Sequence, residues 1–532
     1  MPRLEPGFSA ARGVRRDKLV SSQGSWSSEL RPTLAVSWLL LLAATAAHAD
    51  TFHYRDAEDQ PVALEASLVS SEQGIYILET PDGRYHLVPR GAAEKRVASP
   101  GPVALDGPAM AARLEQEFTA ERFRSYLQAP LVIGLVLGSP LPKTSEGAAR
   151  ALLRDVAVFM KNVEGAFARY ARDARIEAPA ATHPVVVLIF ESRDDFAQYA
   201  SAATSRDEHF TSRIAGFYSK LTNILAIRLE ECSTFETPLH EAIHQQVYVR
   251  KIFPRLAPIP TWFDEGLATG FEGNAGKVNV GPGKISVRYA NQALEAQQLG
   301  FAELVAEDAA FSDSARVDSA YGQAWGLHWL LVTRYKAEYA AYMRLLGTKK
   351  PFQEDTLEQR LADFQQAFGD RLAEFQAQFR PLLEDACRKQ KVTLQPPSRA
   401  GLSLTEENLG QVQLTAVRHQ TVGPAGLAGS RLEVQGTLRN LSPLRPLAFH
   451  VTVETDAATY ADWYIPKLDL LKNAPLPPQN VVKPMQAAAA PGAGQNARTF
   501  RVRIRSVPAD SDEARRWSSG QLPVPVFEGP QP

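Results

Sequence analysis

Residues 237–271 read TPLHEAIHQQVYVRKIFPRLAPIPTWFDEGLATGF, and two short patterns inside this stretch decide how the rest of the chain is read. The first is His240-Glu241-Ala242-Ile243-His244, which has the form His-Glu-x-x-His. Thr237 is suited to cap a helix whose first residue is Pro238, so the motif is expected in that helix's opening turns. Residues at i and i+4 of a helix share one face about 6 Å apart. Two imidazoles at that spacing can converge on one tetrahedral zinc, with the intervening Glu241 turned towards a water on the same ion. Five residues alone also fit an ordinary helix that happens to pair two histidines.

The second pattern follows after twenty intervening residues, where Glu265 sits in Pro260-Thr261-Trp262-Phe263-Asp264-Glu265-Gly266-Leu267-Ala268. Pro260 or Thr261 can open a second helix, with Trp262, Leu267, Ala268 and Phe271 as its buried side. A carboxylate projecting from it would complete a His₂Glu site and leave a fourth position for water. This order of motifs resembles the gluzincin peptidases, the alanyl-aminopeptidase type among them. The resemblance implies Zn2+ held by His240, His244 and Glu265, with Glu241 as general base. It also implies a substrate-binding edge strand ahead of the metal helix, a place the hairpin over 215–229 could take. A tyrosine opening a downstream helix steadies the tetrahedral intermediate in the aminopeptidase type. Tyr321, in Ala320-Tyr321-Gly322-Gln323-Ala324-Trp325, is the candidate here, with simple packing as the competing reading.

Over residues 110–390 the chain is similar to an exported bacterial family of gluzincin-like domains of unknown function. The resemblance lies in IFESRDDFAQY, AGFY, PLHEAIHQQ, PTWFDEGLATGFE and YGQAWGLHWLL. Two departures from the aminopeptidases matter: Asp264 stands where they carry Asn, and the Gly-rich signature that captures a free amino terminus is not evident. Aminopeptidase activity is therefore not carried over. Asp264 either orients a zinc-bound histidine from behind or caps its own helix. Glu272 is an alternative third ligand, His328 between Leu327 and Trp329 reads as a packed histidine, and Cys232 lacks a second soft ligand nearby.

Outward from the motifs, residues 144–175 place Leu152, Val156, Phe159, Val163 and Phe167 on one face of a long helix. The apolar run 184–190 suits a strand covered on both sides, and Ser192 can cap a short helix after it. Residues 214–229 read as two strands around Lys220-Leu221-Thr222-Asn223. Helices resume near 236, 260, 320 and over 355–390, where Phe364, Phe368, Leu372, Phe375 and Phe379 form the stripe of one docking helix. Residues 50–98 alternate in short runs around Pro81-Asp82-Gly83, the mark of a small β module, and 99–110 has a linker's Pro/Gly content. From about 400 the runs alternate again, with a Pro- and Ala-rich flexible excursion over 475–496. The expected chain is thus multidomain: a signal region (1–49), a β module (50–98), an α+β zincin-like, mainly helical catalytic domain with a small sheet (105–395), and a C-terminal all-β, sandwich-like domain (400–532).

The 58 basic and 59 acidic residues among 532 are interspersed and nearly cancel, which argues against nucleic acid or an anionic membrane surface as partner. Two cysteines, Cys232 and Cys387, exclude a disulfide framework and leave one bridge open. The apolar run over 34–47, preceded by Arg31 and ending in Ala47-His48-Ala49, reads as a secretory signal cut after Ala49. It is short of the roughly 20 residues a membrane span needs, so no stable span is expected after cleavage. The expectation is a periplasmic or secreted zinc metallopeptidase acting on a peptide or protein. Its rivals are a non-catalytic zinc-fold binding protein, held to a cell-envelope partner by the flanking β domains, and a metal-free structural or chaperone-like protein.

Overall fold

The strands nearest the amino end are short and alternate, so only one face of their sheet can be apolar. They are β1 (Ala49–Arg55), β2 (Pro61–Glu72), β3 (Ile75–Glu79), β4 (Tyr85–Pro89) and β5 (Ala93–Ser99), ordered β4-β3-β2-β1-β5. Phe52, Ala66, Leu78 and Val88 are its small core. The protein is seen here as a computed structural model that describes residues 49–521 except 57, 100–103, 205–213, 234, 274–276, 295–298, 395–408, 423–427, 456–457 and 483–500. The signal segment read over 1–49 lies outside the described residues, save for Ala49 at the start of β1.

The expected linker over 99–110 is not one throughout. Gly107-Pro108-Ala109-Met110 opens helix α1 (Gly107–Phe118), because the Asp106 carboxylate accepts from the Ala109 N–H at 2.8 Å and proline is tolerated in a first turn. Residues 100–103 lie outside the described residues.

A mixed five-stranded sheet follows: β6 (Phe123–Gln128), β7 (Leu131–Val136), β8 (Val185–Phe190), β9 (Gly216–Tyr218) and β10 (Ile224–Arg228), in the order β6-β7-β8-β10-β9. β8 runs parallel to both β7 and β10, and every residue of β8 is buried. Its alternating residues serve two cores, as a strand with both faces covered must. Val185, Val187 and Ile189 pack with α2 (Glu146–Asp173), while Val186, Leu188 and Phe190 pack with α1 and α3 (Arg193–Thr204). The Ser192 cap holds, its Oγ accepting from the Asp195 N–H at 3.2 Å. β9 is the sheet's edge, antiparallel to β10, so the hairpin ends beside the helices that follow.

Those helices are α4 (Glu236–Val249), α5 (Thr261–Thr269), α6 (Val287–Leu294), α7 (Phe301–Ala306), α8 (Ala309–Ser312), α9 (Val317–Arg334), α10 (Lys336–Gly347), α11 (Leu357–Phe368) and α12 (Leu372–Lys389). The aromatic stripe of 364–379 belongs to two helices rather than one. Gly369 adopts φ +72°, which ends α11. Phe364, Phe368, Phe375 and Phe379 still meet in one core, while Leu372 stays partly exposed at the start of α12.

Strands β11 (Gly410–Val422), β12 (Ala428–Asn440), β13 (Leu447–Thr455), β14 (Ala458–Leu468), β15 (Asn473–Val482) and β16 (Arg501–Pro508) form two antiparallel sheets, β11-β12-β15 and β14-β13-β16. Two expectations change here. Residues 473–482 are a strand rather than part of a flexible excursion, and the region is not purely β, since α13 (Asp512–Ser518) buries Trp517 against β13 and β14. Buried Arg445 ties this part to the central body through Glu191 at 2.7 Å and Ser139 at 2.7 Å. Cys232 and Cys387 are both free thiols. Among the described residues no helix is long and apolar enough to cross a membrane.

Candidate metal centre

α4 starts at Glu236, two residues earlier than its proline suggests. Its N-cap is Phe235, in a left-handed conformation (φ +58°), and no side chain caps the helix, so Thr237 does not do so. The Phe235 ring stacks on Phe159 of α2 at 4.4 Å, and that contact sets the entry angle which a hydroxyl cap would otherwise set. One turn later His240 and His244 emerge together, with their Nε2 atoms 3.1 Å apart.

α5 delivers the third group. The Glu265 Oε2 lies 2.9 Å from His240 Nε2, and its Oε1 lies 3.8 Å from His244 Nε2. Around a tetrahedral zinc with bonds of about 2.0–2.1 Å, neighbouring ligand atoms stand about 3.3 Å apart. Trp262, Leu267, Ala268 and Phe271 are fully buried as expected, and Gly266 lets the helix sit deep enough. A Cβ there would lie 2.6 Å from His328 Cδ2 and 2.8 Å from the Ala324 backbone on α9. Among the described residues, His240, His244 and Glu265 form the one group able to ligate a metal, their atoms within 4.8 Å of one another.

The other ring nitrogens decide what this cluster can bind. His240 Nδ1 is 2.8 Å from Glu272 Oε1, and His244 Nδ1 is 3.1 Å from Asp264 Oδ1. An ionised carboxylate only accepts, so each Nδ1 carries a proton, and in its neutral form each ring would turn the lone pair of Nε2 inward. Two lone pairs and a carboxylate oxygen then face one point, which repels unless a cation or extra protons fill it. The donor set fits a divalent ion of intermediate softness with one coordination position left over. Without such an ion the same carboxylates gather protons: burial works against charge on His244, yet Asp264 and Glu265 push its pKa up to about 10.

Each carboxylate behind an imidazole is itself held. Asp264 Oδ2 accepts from Tyr248 Oη at 2.8 Å and from Lys220 Nζ at 3.1 Å. Burial alone would raise its pKa, but Lys220, His244 and Tyr248 keep it well below the carboxylate range. Glu272 Oε2 accepts from Tyr289 Oη at 2.7 Å, with Arg288 at 3.8 Å. Asp264 thus backs His244 and does not cap α5, whose N-cap is Pro260. Glu272 takes the same part for His240 and is not a third ligand. Glu272 lies three residues past the end of α5, in an isolated bridge with Val278, so no helical spacing from Glu265 pointed to it. Nothing local pointed to Lys220 or Tyr289.

Glu241 faces the edge of the sheet, where its Oε2 accepts from the Tyr218 N–H of β9 at 2.9 Å. Burial holds its carboxyl above the usual range. Tyr321, near the start of α9, places its ring 6.3 Å from that of His240, and burial together with the neighbouring Glu265 carboxylate raises its hydroxyl pKa. Both therefore stand at the cluster. His328 does not: it is buried behind α5, bonded through Nδ1 to Tyr339 Oη at 2.9 Å, and burial lowers its pKa to about 3. Cys232 stays outside the cluster, and burial pushes its thiol pKa up.

Residues 234–353 match a family described as a protein of unknown function, DUF1570. That span holds both histidines, Glu241, Asp264, Glu265, Glu272, Tyr289 and Tyr321, while Tyr218 and Lys220 lie upstream of it. No curated protein matches the chain.

Proposed function

We propose that this chain is an exported zinc metallopeptidase of the gluzincin type, hydrolysing peptide bonds in a peptide or protein substrate. One observation carries the reading: the Nδ1 atoms of His240 and His244 are each taken by a carboxylate, so both Nε2 lone pairs and Glu265 converge on one point. A zinc ion held there would supply Lewis acidity and draw the pKa of water down towards 7. Glu241 is the proton carrier. Its raised pKa suits a group that must accept a proton from water and return it to the leaving amine, and the Tyr218 N–H fixes one of its oxygens. Tyr321 keeps its proton at neutral pH and can donate it in a hydrogen bond to a developing oxyanion. The α+β arrangement, with a sheet edge antiparallel to its neighbour beside the motif helix, supports a zincin-like layout in which β9 lines the substrate cleft. The signal-type segment over 34–49 supports export.

The test is Glu241→Gln. The variant should retain close to one equivalent of zinc and lose essentially all turnover of an unbiased fluorogenic peptide library. Full activity in the zinc-loaded variant would refute the mechanism. Zinc bound by a wild type that cleaves nothing would favour the non-catalytic binding reading instead.

A further inference from the structure

The amino-terminal sheet does not stand apart from the centre; it grips the turn that serves it. That turn, residues 219–223, joins β9 to β10 and is tightly built. The Ser219 N–H bonds the Ile224 carbonyl at 3.0 Å, the Thr222 N–H bonds Ser219 Oγ at 3.0 Å, and Asn223 sits at φ +61°. It presents two groups to the centre. Lys220 Nζ reaches Asp264 behind His244, and Tyr218, just ahead of the turn, gives its N–H to Glu241.

From the other side the β3–β4 turn closes on it. The Tyr85 N–H donates to the Leu221 carbonyl at 2.7 Å. Gly83 needs its positive φ of +80° and its missing side chain here, since a Cβ would lie 3.1 Å from His183 and 3.3 Å from the Asn223 amide. Between the two turns lies Arg255, from the loop joining α4 to α5, with only 5% of its side chain exposed. Its Nη1 donates to the Gly83 carbonyl at 2.8 Å and to the Lys220 carbonyl at 3.3 Å. Its Nη2 pairs with Glu79 at 2.6 Å, and its guanidinium lies 3.4 Å from the centre of the Tyr85 ring. One buried cation thus bonds the sheet and the carbonyl of the very residue that holds Asp264. A planar five-donor guanidinium can span these acceptors at once, whereas an ammonium cannot.

We propose that the amino-terminal sheet is part of the catalytic scaffold, and that Arg255 is the positioning residue through which it fixes the 219–223 turn, and hence Lys220 on Asp264 and Tyr218 on Glu241. This rests on reading the centre as a metallopeptidase site. It replaces an attachment role for this sheet with a mechanical one.

The experiment uses the full chain with Arg255→Met, Arg255→Lys and, as reference, Lys220→Met. Three quantities are read: kcat and KM on a fluorogenic peptide, zinc affinity by chelator competition, and amide hydrogen exchange over 216–224. Arg255→Met should lower kcat at least about tenfold with KM nearly unchanged, weaken zinc about tenfold, and speed exchange in 216–224 but not in β11 to β16. Arg255→Lys should recover part of each loss. A folded Arg255→Met with wild-type kcat, zinc affinity and exchange overturns the proposal. If Arg255→Met does not fold, Arg255→Lys decides alone: wild-type values in all three overturn it, and intermediate losses support it. If the wild type neither binds zinc nor cleaves peptides, the peptidase reading falls by itself. Exchange then decides the coupling, and unchanged protection over 216–224 in Arg255→Met overturns it.

Discussion

Replacing Asp264 by alanine tests the proposed metal centre without touching a residue that would ligate. The Asp264 carboxylate lies 3.1 Å from His244 Nδ1 and also takes Tyr248 Oη at 2.8 Å and Lys220 Nζ at 3.1 Å. In the alanine variant the His244 ring loses both its orientation and the acceptor that keeps its proton on Nδ1. The competing tautomer, with hydrogen on Nε2, cannot ligate. Loss of such a partner weakens metal binding about 10- to 100-fold, or about 1.4 to 2.7 kcal/mol. The upper half of that range is expected, because Asp264 is buried and its bond to the ring is charge-assisted. Asp264→Asn keeps an acceptor oxygen without the charge and should fall between wild type and alanine. Lys220, a third exposed along its side chain, can turn to solvent, but the buried Tyr248 hydroxyl is left without an acceptor. That should lower stability by about 1–3 kcal/mol even in the presence of chelator. The assay is zinc competition against a chelator of known affinity, with the fold checked by circular dichroism. Glu272→Ala, acting on His240, is the parallel case. Wild-type zinc affinity in folded Asp264→Ala would mean that His244 does not ligate through Nε2, and the reasoning here would fail.

Gly266→Ala drives a methyl group to 2.6 Å from His328 and 2.8 Å from the α9 backbone, so α5 must lift. Overpacking of this kind costs about 1–3 kcal/mol, and because Glu265 is the adjacent residue, calorimetry with and without zinc should show lower melting and a smaller zinc-induced rise. Tyr321→Phe should bind zinc normally and lose about a hundredfold in kcat, the loss typical of one oxyanion donor, in steady-state assays on a fluorogenic peptide. Asp82 offers a pH test away from the paired histidines. Burial alone would raise its carboxyl pKa, but the Thr80 hydroxyl and the Arg113 and Arg84 guanidinium groups outweigh burial and hold it below the ordinary 3.8. Its stabilisation is therefore present above 3.8 and lost as pH falls through the lower folded value. Denaturant midpoints of Asp82→Asn should lie below wild type near neutral pH and converge with it on acidification; a gap that widens in acid would contradict this.

What could be read from the sequence was what depends on local periodicity. The two-sided burial of β8, the single apolar face of α2 and the i, i+4 pairing of His240 with His244 all repeat within one element. The errors fall where a distant surface wins. Thr237 is a better cap by composition than Phe235, yet α4 begins at Glu236 with no side-chain cap and the Phe235 ring stacked on Phe159. The helix in Gly107-Pro108-Ala109-Met110 is hidden by residues that usually mark turns, until Asp106 is recognised as its cap. Gly369 was a readable stop inside the aromatic stripe, and apolar spacing masked it. The shell around the histidines was only partly legible. Asp264 adjoins a ligand in sequence, whereas Lys220 and Tyr289 reach their carboxylates only because separate chain segments fold together.

The charge around the centre ties these parts together. Glu241, Asp264, Glu265 and Glu272 set four carboxylates about two imidazoles, with Lys220 and the more exposed Arg288 as the cations nearby. Uncompensated burial of such charge costs several kcal/mol per ion, so the folded chain gains either by taking up protons or by taking up a cation. Protons satisfy the middle of the cluster only in part: Glu265 can accept from His240 Nε2 at 2.9 Å, but its nearer oxygen to His244 Nε2 is 3.8 Å away and the two Nε2 atoms stand 3.1 Å apart. A dication would satisfy both lone pairs and Glu265 together. The same crowding bears on Glu241, whose carboxyl is held up first by burial, with the Glu265 charge adding to it while the two imidazoles oppose. Affinity for an ion would thus draw on this charge, whereas Glu241 owes its raised pKa to burial first. A substitution at Asp264 should move the first, and one that frees the turn Arg255 holds should move both, because that turn also places the Tyr218 N–H on Glu241.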